Sequence, residues 1–196
     1  MKLGKIEKWF INREKHSKKI IEKAEGLLNL IDIKSGQNYL EIGCGSGAVA
    51  RYVFKKYKLN VTGTDIDKDQ ILLASRDSTH IKNITFLEAD ATHLPFKDKS
   101  FDMVLSINVL HHISNWVDAL KEINRVLRGN GYFILVDLFY SKWTAKIGRI
   151  LVRNVYGITT IDNLNIFIND NKFSTIYSQV SKSFMWNNLE TICKKR

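Results

Sequence analysis

The strongest constraint on the fold lies in residues 39–47, where a short apolar segment runs into three glycines spaced two apart: Gly43, Gly45 and Gly47. Apolar residues then recur with helical spacing over residues 48–53. This order predicts a strand, a tight turn and a helix. Glycine suits such a turn because the turn needs positive φ angles and a ligand must approach the backbone closely. The arrangement places a nucleotide-like ligand at the N-terminus of the helix.

The glycine loop alone leaves three interpretations open. Gly43, Gly45 and Ala48 satisfy the loose pattern of a dinucleotide-binding loop, and a glycine-rich turn without a ligand is also compatible with the sequence. Glu41 favours a third interpretation. A carboxylate two residues before the first glycine would repel a pyrophosphate but could accept a hydrogen bond from an ammonium group. The loop is therefore better suited to a ligand with an amino-acid end.

The remaining elements follow from the spacing of apolar residues. The predicted helices span residues 1–31, 47–57, 68–77, 116–127 and 162–171. The predicted strands span residues 38–42, 60–65, 84–90, 100–107, 132–137, 173–186 and 189–194. Asp67 is expected to cap the helix that begins at Lys68. Residues 128–131 contain two glycines and are expected to end the helix before them, and the last hairpin is expected to turn at Asn187 and Asn188.

Two acidic residues end predicted strands. Asp65 follows Gly43 by 22 residues, and Asp90 ends the third strand. An acid at the tip of the strand beside the glycine loop can accept hydrogen bonds from both hydroxyls of a ribose. Because ligands of open α/β sheets bind at the carboxyl ends of the strands, both acids are candidates for a ligand site.

Together, these motifs resemble those of the class I S-adenosylmethionine-dependent methyltransferases. Glu41 and the three glycines match the acid-x-G-x-G-x-G first motif of that family. Residues 90–96, which end in Leu-Pro-Phe, and the S-F-D-x-V pattern at 100–104 are similar to the methyltransferase type 11 group, which includes ubiquinone and menaquinone biosynthesis enzymes. The resemblance covers residues 36–137. It implies an α/β fold: a three-layer, Rossmann-like, seven-stranded and mostly parallel sheet with one antiparallel strand.

The resemblance also implies a binding site for S-adenosylmethionine, which leaves S-adenosylhomocysteine as product. The residues expected to bind it are Glu41, Gly43, Cys44, Gly45, Gly47, Asp65, Ile66, Asp90, Ala91, Ile107 and Asn108. In the family, the acid at Asp65 binds the ribose and Ile66 packs on the adenine face. The acid at Asp90 accepts from the adenine amino group, and the N–H of Ala91 serves the ring. No metal site is predicted, because the sequence shows no ligand spacing.

Methyl transfer from a sulfonium is an in-line displacement, and the protein mainly positions the acceptor. A general base is needed only for a hydroxyl, a thiol or a protonated amine. His111, in the loop after the fourth strand, is the candidate base or substrate-orienting residue. Only one of His111 and His112 is expected to face the site, since adjacent side chains on a turn rarely point the same way. Phe139 and Tyr140 are expected either to line the acceptor pocket or to pack.

The net charge of +10 lies outside the predicted cofactor core, because residues 36–137 are neutral, residues 1–35 carry +4 and residues 138–196 carry +6. The sequence predicts a single methyltransferase domain, residues 1–196. Its parts are an N-terminal helical lid that includes Trp9 and Phe10 (1–35), the core (36–137), and a basic amphipathic helix with a C-terminal β-hairpin (138–196). That helix, over 141–156, suits a solvated surface, an anionic membrane interface or a phosphate backbone.

The predicted function is methyl transfer to a small-molecule acceptor, anionic or lipid-like. RNA methylation is the alternative, favoured by the basic flanks, although residues 106–109 lack the proline-containing motif of many base methyltransferases. A non-catalytic protein that keeps the fold is the third hypothesis. Peripheral membrane contact stays open, and the oligomeric state is not predicted. The N-terminus lacks a signal-peptide core and the chain has only two cysteines, so the predicted compartment is the cytoplasm.

Overall fold

The computed structural model describes residues 14–76, 78, 82–141, 144–145 and 159–196. The helices are α1 (Glu14–Leu28), α2 (Ala48–Tyr57), α3 (Lys68–Arg76), α4 (Trp116–Val126) and α5 (Ile161–Asp170). The strands are β1 (Asn38–Ile42), β2 (Asn60–Asp65), β3 (Ile84–Glu88), β4 (Phe101–Ile107), β5 (Leu127–Tyr140), β6 (Phe173–Lys182) and β7 (Trp186–Lys195). A 3-10 turn, Leu110–His112, follows β4.

The seven strands form one sheet in the order β3-β2-β1-β4-β5-β7-β6. Parallel pairing joins β3, β2, β1, β4 and β5 in that order. β7 is antiparallel to both β5 and β6, so it is the single reversed strand. The predicted α/β fold, with a mostly parallel seven-stranded sheet and one antiparallel strand, is confirmed.

Helices cover both faces of the sheet because alternate strand residues point to opposite sides. Leu40 and Val104 pack with α4 and α5 in one buried cluster. Tyr39 and Met103, each one residue earlier in the same strands, pack with α1 and α2 in the other cluster. The central strands are therefore apolar on both faces, as is usual for parallel strands between two helical layers.

The predicted glycine cap at residues 128–131 is wrong. α4 ends at Val126, and Leu127 is already extended, with φ −78° and ψ 134°. Leu127 is buried and pairs with Phe101 at the start of β5, so the chain passes directly from the helix into the sheet. Asn130, not a glycine, takes the left-handed conformation there, with φ 64°.

The last hairpin and the end of β3 also differ from the sequence prediction. The last hairpin does not turn at Asn187 and Asn188, because both lie within β7, where they pair with Phe139 and Leu138. The turn falls between Lys182 and Trp186 instead. β3 ends at Glu88, so the strand predicted over 84–90 stops two residues before its acid. The predicted cap on α3 is confirmed, since the N–H of Asp69 donates to Asp67 Oδ1 at 3.0 Å.

Two sequence predictions fall outside the described residues: the Trp9 and Phe10 lid, and most of the basic helix over 141–156. Within the described ranges, no helix combines the length and the apolar character that crossing a bilayer requires.

The five parallel neighbours end at the same edge of the sheet, which brings three loops together there. The glycine loop follows β1, Ile66 and Asp67 follow β2, and residues 108–112 follow β4. β1 lies between β2 and β4, so the glycine loop is central. This is the edge at which open α/β sheets bind ligands.

Candidate functional site

The three glycines of the loop all have positive φ, but their surroundings differ. A Cβ built at Gly43 would lie 2.3 Å from Cγ2 of Val109, and one at Gly47 would lie 2.6 Å from the ring of Phe86. A Cβ at Gly45 would meet nothing closer than Oε1 of Gln70, at 3.9 Å. Gly43 and Gly47 are therefore required by packing, whereas Gly45 borders open space that a ligand can enter.

Asp65 joins the end of β2 to the glycine loop. The backbone N–H of Gly45 donates to its Oδ2 and that of Asp67 to its Oδ1, both at 2.9 Å. Burial raises the pKa of the Asp65 carboxyl, while these backbone hydrogen bonds oppose the rise. Each carboxylate oxygen has a second lone pair, so the group can still accept hydrogen bonds from ligand hydroxyls.

Glu41 is a buried acid directly before the glycine loop, with 6% of its surface exposed. Its Oε2 has no hydrogen-bond partner among the described residues. Burial raises the pKa of Glu41 to about 8; the N–H of Ala50 opposes that shift, and the charge of Asp65 adds to it. A buried carboxylate oxygen without a donor is costly to keep. An ammonium group on a ligand would supply both the donor and the compensating charge.

Gln70 is a candidate site residue that the sequence did not reveal. Its side chain is 1% exposed, and both amide atoms lack a partner among the residues that the structure describes. It lies on α3 at the face that also buries Ile71 and Ala74, and it is the side chain nearest to the open space at Gly45. The sequence feature that could have identified Gln70 is a polar residue on the apolar stripe of a helix.

Cys44 turns its side chain away from the loop's open side. Its Sγ would lie 3.0 Å from a Cβ at Gly63 in β2, and its N–H donates to the carbonyl of Thr64. Burial raises the pKa of the Cys44 thiol well above its ordinary value. The residue therefore presents its backbone, and not its thiol, to a ligand at the loop.

The predicted adenine-binding residues lie beside β2 on the same edge. Ile66 directly follows Asp65 and is 37% exposed. Asp90 is exposed, and its Oδ1 accepts from both the N–H and the hydroxyl of Thr92 at 2.8 Å. The side chain of Ala91 is buried in the core, so only its backbone is available to a ligand.

Ile107 and Asn108 lie at the end of β4, on the other side of the glycine loop. Asn108 takes a left-handed conformation, with φ 56°, and its N–H donates to the carbonyl of Val136 at 2.8 Å. Ile107 is half-buried and packs against the α1 and α2 cluster. The chain then turns so that Val109 contacts the glycine loop at Gly43.

His111 has a buried partner that the sequence did not reveal. Its Nδ1 lies 2.5 Å from Oδ1 of Asp137, a fully buried carboxylate in β5. The rings of His111 and His112 lie against each other with centroids 3.9 Å apart. The expectation that only one of them faces the site stays a prediction.

The residues after Asp137 are held by packing. Of the two alternatives for Phe139 and Tyr140, the structure agrees with packing: Phe139 is buried in the core, and the ring centroids of Tyr140 and Trp186 lie 4.6 Å apart.

The residues present fit a ligand with an amino-acid end, a ribose and a base. Within the part of the chain that the structure describes, Glu41 offers a buried acceptor without a partner and Gln70 offers two amide atoms without partners, while Gly45 borders open space. Asp65 ends β2, and Asp90 follows the end of the neighbouring strand β3 by two residues, so both carboxylates lie at this edge of the sheet. Among the described side chains, no group of three or more His, Cys, Asp and Glu forms a metal site.

A family model described as a methyltransferase domain, that of the type 11 group, matches residues 40–135. The match covers the last three residues of β1, the glycine loop, Asp65, Asp90 and the histidine turn. The chain belongs to the class I S-adenosylmethionine-dependent methyltransferases. The fold and the family expected from the sequence motifs are therefore confirmed.

Curated relatives of the chain are methyltransferases by name. A fatty-acid O-methyltransferase of Mycolicibacterium smegmatis is 38% identical over 103 residues, which are 52% of this chain and 37% of the relative. A phthiotriol/phenolphthiotriol dimycocerosates methyltransferase of Mycobacterium ulcerans is 36% identical over 113 residues, 57% of this chain and 41% of the relative. The methyltransferase chain thus spans less than half the length of either relative.

The solved structure of a putative sarcosine dimethylglycine methyltransferase from Galdieria sulphuraria shares the fold. Its TM-score is 0.78 at 15% identity, over 92% of this chain and 87% of that one. At this identity the likeness concerns the fold of the methyltransferase alone.

Proposed function

We propose that the protein binds S-adenosylmethionine at the edge formed by the glycine loop and transfers its methyl group to a small-molecule acceptor. The observation that carries this proposal is the buried Glu41 carboxylate. Its Oε2 lacks a partner among the described residues, and it lies just before a loop whose Gly45 borders open space. When bound, S-adenosylmethionine supplies a methyl group already activated by a positively charged sulfur.

Different residues of the chain would bind different parts of S-adenosylmethionine. Glu41 would accept from the amino group, and the backbone at Gly45 would let the ligand approach the loop. Asp65 would accept from the ribose hydroxyls while it keeps its bonds to Gly45 and Asp67. Asp90 and Ile66 would hold the base. Gln70 would satisfy its amide atoms against the polar part of the same ligand.

A lipid-like acceptor is the substrate class that we favour. Fatty-acid and phthiotriol methyltransferases are among the relatives of this chain by name. The described end of β5 offers an apolar surface at the same edge of the sheet, where Tyr140 packs on Trp186 and Phe184 is 81% exposed. These features support an acceptor with a large apolar body beside its reactive group.

Calorimetric titration with S-adenosylhomocysteine tests the donor site, with NADH titrated in parallel. We expect S-adenosylhomocysteine alone to bind. Glu41→Gln keeps the shape of the side chain but removes its charge, and it should weaken binding tenfold or more because hydrogen bonds to charged groups contribute about 1.5–3 kcal/mol. The matched control is Glu88→Gln, an exposed acid at the end of β3. Equal affinity of the Glu41→Gln protein and wild type, or binding of NADH alone, would contradict the proposal.

RNA methylation is a second candidate because the flanks carry the whole net positive charge of the chain. It predicts a steep loss of RNA binding as salt concentration rises, since each phosphate contact releases counterions. A filter-binding assay between about 50 and 200 mM salt, the range over which such contacts weaken strongly, distinguishes the two acceptor classes. Tight, salt-dependent RNA binding accompanied by methylation would favour RNA over a lipid-like acceptor.

A further inference from the structure

The contact between His111 and Asp137 lies within an anchored arrangement. Oδ2 of Asp137 accepts from the N–H of Val109 at 3.0 Å and from that of Leu110 at 2.7 Å. Oδ1 accepts from the N–H of Leu138 at 2.7 Å as well as facing Nδ1 of His111 at 2.5 Å. Three backbone donors therefore fix the carboxylate, and it has little freedom to rotate away from the imidazole.

The contact with Asp137 also determines which ring nitrogen of His111 carries the proton. A carboxylate that accepts at Nδ1 selects the tautomer in which Nδ1 carries the proton, which leaves the Nε2 lone pair free to accept one. Asp137 is fully buried, whereas the His111 side chain is 20% exposed. The acid is thus shielded from water, and the ring keeps an accessible part.

The position of the pair connects it to the glycine loop. His111 follows Val109 by two residues, and Val109 lies against Gly43. Asp137 follows Val136, which pairs with Ile107 across β4 and β5. The turn that carries His111 is therefore fixed at both ends, by β5 and by the loop where we place the methyl donor.

We propose that His111 is the general base for a hydroxyl acceptor, and that Asp137 is the positioning residue that orients its ring and fixes its tautomer. This inference rests on the proposed methyl transfer and deepens it by naming the acceptor atom. A carboxylate acceptor is ionised at neutral pH and needs no base, whereas a hydroxyl must lose its proton as it attacks. A buried His–Asp pair is suited to the second task.

The step balances without a further reactant. The hydroxyl oxygen forms a bond to the methyl carbon, and the carbon–sulfur bond breaks with its electron pair going to sulfur. The hydroxyl proton passes to Nε2 of His111. The resulting imidazolium is stabilised by the carboxylate of Asp137 at 2.5 Å, and it releases its proton to water after the methylated product has left.

Nitrogen-15 NMR of the ligand-free protein tests the pair without any methyl acceptor. We expect His111 to carry a proton on Nδ1 and a free lone pair on Nε2, and Asp137→Asn to change this pattern. His112→Gln is the matched control, because His112 lies on the same turn and its ring contacts that of His111. A His111 ring protonated on Nε2 alone in the wild-type protein would overturn the assignment.

Two probes with the same apolar body identify the acceptor atom: 4-dodecylphenol and 4-dodecylbenzoic acid, with radiolabelled S-adenosylmethionine as donor. We expect the phenol to be methylated. His111→Gln should lower its kcat by about 10²-fold or more, as expected for loss of a general base, with unchanged affinity for S-adenosylhomocysteine. Asp137→Asn should lower kcat with little change in KM, and His112→Gln should leave both close to wild type.

The outcomes separate this inference from the proposed function. Failure of the wild-type protein to bind S-adenosylhomocysteine would overturn the methyl transfer itself. Binding accompanied by methylation of the benzoic acid alone, or an unchanged rate for His111→Gln with the phenol, would overturn only the role of the pair. If neither probe is methylated, the nitrogen-15 pattern decides whether the pair has the required tautomer.

Discussion

The N–H of Gly45 donates to Oδ2 of Asp65 at 2.9 Å, which ties the middle of the glycine loop to the end of β2. The loop's shape therefore depends on an acid 20 residues further along the chain. The same carboxylate is the proposed acceptor for the ribose hydroxyls. A substitution there removes both a structural support and a ligand contact.

We expect Asp65→Ala to abolish detectable binding of S-adenosylhomocysteine while the fold survives. The free energy of unfolding should fall by about 1–3 kcal/mol, because two backbone donors lose their acceptor. Calorimetry measures the first effect and urea denaturation the second. Asp118→Ala is the control, since Asp118 is exposed on α4 and forms an ion pair with Lys121 at 3.0 Å. Tight binding by the Asp65→Ala protein would show that the ribose site lies elsewhere.

Local sequence patterns predicted the parallel core well. The bounds of β1 and β2 agree with the expected residues 38–42 and 60–65. Their apolar residues, the glycines after β1 and the acid that ends β2 all indicate the same local structure, and tertiary contacts agree with it. The linked motifs also placed the ligand-binding edge, because parallel strands present their carboxyl ends together.

Long-range pairing explains what the sequence did not reveal. Asn187 and Asn188 have the composition of a turn, but β5 is long enough to pair with them and draws both into β7. His111 and Asp137 are 26 residues apart and meet only because β4 pairs with β5. No local pattern identifies such a partner, and an acid at the end of a strand has several structural roles.

Gly43 should be intolerant of a side chain for a reason distinct from its φ of 68°. A Cβ would lie 2.3 Å from Val109 Cγ2. We expect Gly43→Ala to destabilise the fold by about 2–5 kcal/mol, the sum of overpacking and left-handed strain. Adding Val109→Ala to the Gly43→Ala protein should remove the overpacking and regain about 1–3 kcal/mol of the free energy of unfolding. A double-mutant cycle in urea measures this gain.

Gly36 provides the matched control for Gly43. Its φ is 82°, but a Cβ there would meet no described heavy atom within 4 Å. Gly36→Ala should therefore show only the backbone strain of about 1–2 kcal/mol, with no dependence on Val109. Additive effects of Gly43→Ala and Val109→Ala would mean that the loop relaxes away from this contact.

Glu41 should make the ligand-free protein less stable as the pH rises. Burial raises its pKa from 4.5 to about 8 in the folded state, so between these values the folded protein binds a proton that the unfolded chain has lost. The free energy of unfolding then falls with increasing pH, by at most about 1.4 kcal/mol per pH unit for this one group. Glu41→Gln cannot titrate and should lose that slope.

Thermal unfolding of both proteins between pH 5 and pH 8 checks this sign, within the window set by the two pKa values of Glu41. The Tm of Glu41→Gln minus that of wild type should become more positive as the pH rises. Saturating S-adenosylhomocysteine should reduce this difference, because its ammonium group favours the ionised carboxylate. A Tm difference that stays constant across the range would mean that Glu41 is already ionised in the free protein.

Gln70 should lower the stability of the ligand-free protein and strengthen the binding of the ligand. Its two amide atoms are buried without partners among the described residues, a state that costs about 1–3 kcal/mol relative to a satisfied or apolar side chain. Gln70→Met preserves the length of the side chain and removes both polar atoms. We therefore expect a more stable ligand-free protein, with a higher urea midpoint, that binds S-adenosylhomocysteine about tenfold more weakly, the loss expected for one hydrogen bond.

The combination of effects at Gln70 distinguishes a ligand contact from a packing defect. A residue that only packs would give higher stability with unchanged affinity, and a residue that supports the glycine loop would give lower stability with lower affinity. Gln179→Met is the control, because Gln179 is exposed on β6 and accepts from the hydroxyl of Tyr177 at 2.6 Å. Calorimetry measures the affinity for S-adenosylhomocysteine, and urea denaturation measures the stability of the same samples. Unchanged affinity in Gln70→Met would remove this residue from the proposed site and leave Glu41 and Asp65 as its polar contacts on this side of the loop.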